Sequence, residues 1–322
     1  MIRPAIIATS LLFSLAMAGG KPTVLVVTGA PGAEDYGQLF EQWGQAWKSA
    51  AEQADAGLRE VGQPKEGSAK QHLEKILVEE NKEGSDPLWL ILLGHGTFNG
   101  TEAKFNLRGP DLEASELSAW LLTFKRPLAI INCSSSSAPF LKKLSAKGRI
   151  VVTATRSGYE QNFCRLGGHL ATAMSDLEAD LDQDGQVSLL EGWLTAARRT
   201  ARFYEENGRL ATEHSLLDDN ADGKGTQADW FRGLQVTKKS AEEGLLPDGL
   251  RAHQLHLIPS EEERKLRPDQ KAKRDALEIE LASLRARKLK LREDAYYERL
   301  ETLLLEMSRI YFPDEASTPP GE

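Results

Sequence analysis

Two residues capable of nucleophilic and acid–base chemistry follow two strongly apolar stretches of the chain. His95 comes two residues after the run Leu88–Leu93, and Cys133 follows the run 127–131 and Asn132. Apolar runs of this length, bounded by polar residues, are typical of strands buried on both faces of a parallel sheet. Because such sheets bind ligands beyond the carboxyl ends of their strands, we expect His95 and Cys133 to lie at one functional edge.

The chemistry open to this pair is acyl transfer. A Cys133 thiolate is a strong nucleophile towards a carbonyl carbon, and the His95 imidazole beside it can protonate the leaving amine. The backbone N–H groups of Gly96 and Cys133 are candidates to stabilise the oxyanion that forms. Two simpler interpretations stay open: Cys133 is a buried structural residue, or it forms a disulfide with Cys164, the other cysteine of the chain.

The two apolar blocks, one ending in His95-Gly96 and the other in Cys133, resemble the caspase and legumain clan of cysteine peptidases. A third apolar block, 149–155, is similar to the legumain strand that leads into the substrate pocket. The resemblance covers roughly residues 23–174 and implies a caspase-like three-layer α/β sandwich with a mostly parallel sheet. It also implies a cysteine endopeptidase in which Cys133 is the nucleophile and His95 the general acid and base, acting on peptide or protein substrates. The substrate-pocket residues that it implies are Thr155, Arg156, Ser157 and Glu160.

The chain departs from that clan around its cysteine. Asn132 stands where the clan usually has alanine or serine, and a run of serines follows Cys133 where the clan soon has glycine. This departure favours a second hypothesis, a catalytically silent protein of the peptidase fold that acts as a calcium-dependent binding or scaffolding module.

A segment of twelve residues, 180–191, matches the calcium loop of EF-hand proteins. Carboxylates stand at its first, third and fifth places, Gly185 at the sixth allows a sharp turn, and a glutamate at the twelfth can bind the ion through both oxygens. The predicted ligands of a structural Ca²⁺ are Asp180, Asp182, Asp184, Gln186 and Glu191. The simpler interpretation is a solvated acidic turn. A second segment, 218–229, repeats the beginning of the pattern but ends in Asp229, and it is either a second site or a turn rich in Asp and Asn.

Hydrophobic periodicity predicts the elements around these motifs. A first strand over Thr23–Gly29 precedes a helix whose apolar stripe runs from Phe40 to Ala54, and a short hairpin is expected over 98–107. Near the carboxyl end, leucines at close to heptad spacing over 277–291 and a second stripe over 296–310 indicate two antiparallel helices. This helical hairpin either packs on the α/β domain or binds a protein partner.

The composition and the amino-terminal segment limit the classes to which the protein can belong. The net charge of −8 disfavours nucleic acid or an anionic membrane as the main partner. Arg3, an apolar stretch and a small-residue cleavage site predict a signal peptide and an exported protein without stable membrane insertion. The predicted organisation is a signal peptide over 1–18, a catalytic α/β domain over 19–176, an EF-hand-like helical region over 177–240, a linker and helical hairpin over 241–311, and a disordered tail over 312–322.

Overall fold

The computed structural model describes residues 21–63, 66–237 and 245–312. The predicted signal peptide and almost all of the predicted tail lie outside the described residues. In chain order, the strands are β1 (Thr23–Thr28), β2 (Gly57–Val61), β3 (Leu88–Leu93), β4 (Gly96–Phe98), β5 (Ala103–Phe105), β6 (Leu112–Glu113), β7 (Leu128–Asn132), β8 (Arg149–Thr153), β9 (Leu216–Asp218), β10 (Thr226–Gln227), β11 (Phe231–Arg232) and β12 (Gln235–Val236). The helices are α1 (Glu34–Gln53), α2 (Ala69–Glu79), α3 (Ala114–Trp120), α4 (Ala138–Leu144), α5 (Leu166–Ala173), α6 (Leu189–Glu206), α7 (Leu250–His253), α8 (Glu261–Lys265), α9 (Pro268–Ala286) and α10 (Glu293–Tyr311).

The central sheet has the strand order β10-β9-β8-β7-β3-β1-β2. Strands β2, β1, β3, β7 and β8 run parallel to one another, whereas β9 is antiparallel to β8 and β10 is antiparallel to β9. Because β3 and β7 are neighbours, the residues that follow them leave the sheet side by side at its carboxyl edge. The fold class is therefore mixed α/β with a mostly parallel central sheet, as the apolar runs predicted.

Helices cover both faces of this sheet. Alternate residues of β1, β3 and β7 pack on one face against α1, α5 and α6, and the intervening residues pack on the other face against α2, α3 and α4. All six residues of β3 are buried, and so are all five of β7, because each strand contacts a helical layer on either side. This two-sided burial explains why both strands appear in the sequence as continuous apolar runs.

The last two helices form a hairpin with a small apolar core of its own. The residues 287–292 connect α9 to α10, and the buried side chains between the helices are Leu277, Leu281, Leu284, Tyr296, Leu303 and Ile310. Within the described ranges, no helix has both the length and the apolar character needed to cross a bilayer.

Candidate functional site

His95 lies just beyond the carboxyl end of β3, in a box of aromatic rings. The ring centroids of Tyr36, Phe40 and Phe163 lie 4.8, 5.4 and 5.8 Å from the imidazole centroid. Its Nε2 lies 3.0 Å from the carbonyl oxygen of Pro31. Because a carbonyl can only accept, this contact assigns the hydrogen to Nε2. The structure thus has a half-buried, oriented histidine at the expected edge of the sheet.

Cys133 follows β7 on the neighbouring strand, but its thiol faces the core. The side chain is 1% exposed and packs in the cluster formed with α1 and α5. Gly167 of α5 lies so close that a Cβ atom built there would be 2.9 Å from the Cβ of Cys133. Burial, reinforced by the negative charge of Glu213, raises the pKa of the Cys133 thiol well above its usual range. No hydrogen bond joins His95 to Cys133 in the described part of the chain.

Both predicted oxyanion donors are engaged within the fold. The Gly96 N–H donates to the hydroxyl of Ser135 over 3.1 Å, and that hydroxyl donates back to the Gly96 carbonyl. The Cys133 N–H donates to the carbonyl of Leu92 over 3.0 Å, continuing the ladder between β3 and β7. Neither N–H is therefore available to a substrate oxygen in this arrangement.

The four serines after Cys133 are buried and mostly paired with the protein itself. The Ser134 hydroxyl donates to Asn132 Oδ1 over 2.7 Å, and the Ser137 hydroxyl lies 3.2 Å from the hydroxyl of Thr155. Ser136 has a left-handed backbone (φ 55°), and among the described residues its hydroxyl has no hydrogen-bond partner. The run thus forms a tight, solvent-excluded turn that leads into α4.

The predicted pocket residues form a connected network at the same edge. Thr155 is fully buried and accepts the N–H of Ala138. Glu160 accepts the N–H of Arg156 over 2.9 Å, and its Oε1 lies 2.6 Å from Nδ1 of His214. The Ser157 hydroxyl accepts the N–H of Tyr159 within the loop. Arg156 is half-exposed and lies 3.4 Å from Glu160, which neutralises part of its charge.

Sequence reasoning missed Glu213, which directly precedes His214 in the chain. Its carboxylate is 5% exposed and accepts the N–H groups of Arg165 and Leu166 and the hydroxyl of Tyr204. Burial raises the pKa of Glu213 above its usual value. The sequence carries no periodic or motif signal for this residue, because Arg165 and Leu166, whose N–H groups it accepts, lie 48 and 47 residues away.

A cavity of about 600 Å³ opens between the end of β8, helix α6 and the segment around β10. Its wall is mainly apolar, with Ala154, Leu194 and Phe231 among the lining residues. Leu181, from the predicted calcium loop, also lines it, as does Asp229, from the end of the second acidic loop. The cavity therefore lies between the two acidic segments and beside the predicted pocket residues.

The first acidic loop has the internal geometry of a metal-binding turn. Carboxylate oxygens of Asp180, Asp182 and Asp184 lie within 4.8 Å of one another. Asp180 accepts three backbone N–H groups of the loop, from Gln183, Asp184 and Gly185. Burial, together with the charges of Asp184 and Glu191, raises the pKa of Asp182.

Of the two further predicted ligands, Gln186 contacts Asp184, whereas Glu191 is not part of this cluster of carboxylates. Glu191 is fully buried, with Oε1 accepting the N–H of Leu181 and Oε2 accepting the N–H and hydroxyl of Ser188. The Gln186 side chain donates to Asp184 and accepts the N–H of Ser260. Glu191 thus closes the loop onto the start of α6, as a capping box does.

The second acidic loop has the same backbone pattern but a different place in the fold. Ala221 and Gly223 have positive φ at its fourth and sixth places, as Gln183 and Gly185 have in the first loop. The second loop connects β9 to β10 in the central sheet. In the first loop, Ser188 instead forms an isolated antiparallel β-bridge with His256. The two loops therefore do not pair with each other at Ser188.

No family model matches the sequence, and no curated protein matches it. Among solved structures, the chain is similar to the initiator caspase Dronc of Drosophila, with a TM-score of 0.36 and 12% sequence identity. The similarity covers 64% of this chain and 81% of that chain. At this TM-score, the likeness carries no conclusion about activity.

Proposed function

We propose that this protein is a calcium-dependent binding module for peptide or protein partners, built on a peptidase-like α/β scaffold that is catalytically silent at Cys133. The observation that carries this proposal is the state of the Cys133 thiol, which is 1% exposed and faces the core. A thiol becomes a nucleophile as its thiolate, and burial favours the neutral form. A substrate carbonyl would also have to displace α5 to reach the sulfur.

The engaged backbone donors support the same proposal. Stabilisation of an oxyanion requires N–H groups that point at the space where the oxygen will be. Here the N–H of Gly96 is bound by Ser135 and that of Cys133 by Leu92. Catalysis would require two hydrogen bonds to break. One joins the Gly96 N–H to Ser135, and the other joins the Cys133 N–H to Leu92 at the end of the pairing between β3 and β7.

The cavity is the binding site that this proposal requires. Pockets for ligands and for partner side chains are concave and mostly apolar, with a few polar groups that set orientation. The cavity has this character, and Gln227 at its wall lies 3.4 Å from the guanidinium of Arg156. We infer that it accepts an apolar side chain of a bound peptide, with Arg156 and Gln227 near its backbone.

Calcium would act on this cavity through Leu181. The proposed ligands are Asp180, Asp182, Asp184, Gln186 and Glu191, a set of hard oxygen donors that suits Ca²⁺. The cation would supply positive charge to carboxylates that otherwise repel one another. Leu181 lies between two of these ligands and lines the cavity, so ordering the loop would steady one wall of the binding site. Export of the protein remains a prediction, and it would expose the loop to extracellular calcium.

Selection from a displayed peptide library, carried out with calcium and with chelator, tests the binding function. Titrations of selected peptides should show binding that needs calcium and is retained by Cys133→Ala. Ala197→Trp, which fills the cavity, should abolish it, whereas Ala119→Trp, an exposed position on the far helical layer, should not. Binding that is insensitive to Ala197→Trp would remove the cavity from the proposal.

A cysteine endopeptidase is the second candidate, favoured by the position of His95 and Cys133 after the neighbouring strands β3 and β7. A fluorogenic peptide library distinguishes the two functions. The binding proposal expects no hydrolysis above that of Cys133→Ala. Hydrolysis that is lost in both Cys133→Ala and His95→Ala, and kept in Cys164→Ala, would establish the peptidase instead.

A further inference from the structure

The connection between α9 and α10 concentrates positive charge on a protein that is acidic as a whole. The eight residues 285–292 contain no aspartate or glutamate, while the whole chain carries a net charge of −8. The basic residues of this segment are Arg285, Arg287, Lys288, Lys290 and Arg292. We call the segment 285–292 the hairpin tip. Its local charge is opposite to that of the molecule.

A leucine stands at the centre of this basic segment, in full contact with solvent. Leu289 is 99% exposed and lies in the short 3₁₀ turn Lys288–Lys290. Leu291 is 39% exposed, and Tyr297, at the start of α10, is 49% exposed. Complete exposure of a leucine between two lysines gives no folding stability, because no apolar surface is removed from water there.

The tip is held in place by the hairpin beneath it. The Nζ atom of Lys288 lies 5.2 Å from the ring centroid of Tyr296 and 5.7 Å from that of Tyr297. Tyr296 and Leu284 are buried in the core of the hairpin, which anchors both ends of the tip. The turn therefore presents Leu289 at its apex, with Lys288 directed back over the tyrosine rings.

We propose that the hairpin tip docks this protein on an anionic lipid surface. Basic side chains near such a surface are attracted by its negative potential, and an apolar residue between them can enter the boundary between headgroups and acyl chains. Tyrosine is favoured at the same depth, which suits Tyr297. The docking is peripheral and does not depend on the binding function proposed above.

The exposed leucine argues for a lipid surface over a nucleic acid. Phosphate backbones are bound by positive charge and hydrogen bonds, and single strands are bound in addition by stacking on aromatic rings. An aliphatic residue at the apex adds nothing to either interaction, but it adds apolar burial in a bilayer. Arg292 is paired with Asp294 over 2.5 Å, so Arg285, Arg287 and Lys288 carry most of the attraction.

Cosedimentation with vesicles tests this proposal. The protein is used from Gly19 onward, because the apolar stretch of the predicted signal peptide would itself bind lipid. We expect binding to vesicles of 30% phosphatidylglycerol in phosphatidylcholine, little binding to pure phosphatidylcholine, and loss of binding as salt is raised. Leu289→Ser should weaken binding severalfold, and the double variant Arg287→Gln with Lys288→Gln should weaken it on the order of tenfold or more.

Leu210→Ser is the matched control, since Leu210 is 90% exposed, follows Arg209 and does not belong to the hairpin tip. It should bind vesicles like the unaltered protein. Equal binding to neutral and anionic vesicles, or an equal loss in Leu210→Ser and Leu289→Ser, would overturn the proposal. So would absence of binding to both vesicles, or tighter binding to a DNA oligonucleotide than to anionic vesicles.

Discussion

The backbone of Gly96 and the hydroxyl of Ser135 exchange two hydrogen bonds across 39 residues of sequence, each 3.1 Å long. The contact ties the loop after β3 to the turn after β7 at the carboxyl edge of the sheet. A Cβ atom at Gly96 would lie 2.2 Å from the carbonyl oxygen of Ser135, so only glycine fits. The same contact removes the Gly96 N–H from the candidate site.

The first prediction concerns this contact. Ser135→Ala should lower the free energy of unfolding by about 1–3 kcal/mol, because it leaves a buried N–H and a buried carbonyl without their partner. Ser136→Ala is the control: its hydroxyl is also buried but has no partner in the part of the chain that the structure describes, so the change should stay within about 0.5 kcal/mol. Urea denaturation measures both values. Equal losses in the two variants would contradict the role assigned to Ser135.

The second prediction concerns the reactivity of Cys133. In a Cys164→Ala background, a thiol-directed reagent at neutral pH should label Cys133 slowly in the native protein and rapidly in denaturant, since its thiol is buried and its pKa is raised. Cys133→Ala should cost on the order of 1 kcal/mol, as for the loss of one buried methyl-sized group. Fast labelling of the native protein would instead indicate an accessible, activated thiol.

The third prediction follows from Asp219, a 3% exposed residue beside Asp248. Burial raises the pKa of Asp219 to about 7 and that of Asp248 to about 6, both above the ordinary value of 3.8. The folded protein therefore keeps a proton that the unfolded chain loses, and this contribution to stability disappears as pH rises from about 4 to about 7. The loss of stability is on the order of a few kcal/mol, because each unit between the pKa of Asp219 in the folded protein and its ordinary value corresponds to about 1.4 kcal/mol.

Asp219→Asn isolates this effect because asparagine does not titrate. The difference in unfolding free energy between the original protein and Asp219→Asn should shift in favour of the variant as pH rises through that range, whatever constant cost the variant carries. Asp55→Asn serves as the control, since Asp55 is exposed and paired with Lys21. Parallel stability curves for the original protein and Asp219→Asn between pH 4 and 7 would rule the effect out.

The fourth prediction concerns calcium. A ligand that binds the folded loop and not the unfolded chain stabilises by about 2.7 kcal/mol at a hundredfold excess over its Kd, which should raise the melting temperature by several degrees. The calcium-dependent rise should disappear in Glu191→Gln and persist in Asp229→Asn. Magnesium should replace calcium poorly, because it prefers a tight octahedral site. Identical melting curves with calcium and with chelator would mean that 180–191 is an acidic turn only.

The sequence alone determined the elements whose causes are local. Two apolar runs predict the buried strands β3 and β7 because a strand covered on both faces has no polar alternation, and their parallel pairing puts His95 and Cys133 at one edge. The first acidic loop adopts its turn because Asp180 binds backbone groups three to five residues away and Gly185 supplies the left-handed backbone. These interactions depend on residues within one short segment.

Only the tertiary structure decided which groups at the carboxyl edge of the sheet are exposed and which are buried or already hydrogen-bonded. A continuous apolar run does not tell which face a residue takes, so the inward direction of Cys133 follows from its phase with Ile131 and the packing of α5 against it. The partner of Gly96 is Ser135, and the buried Glu213 accepts the N–H of Arg165 from 48 residues away. Such contacts are long-range, and their geometry depends on how layers of helices and sheet meet, which no spacing in the sequence records.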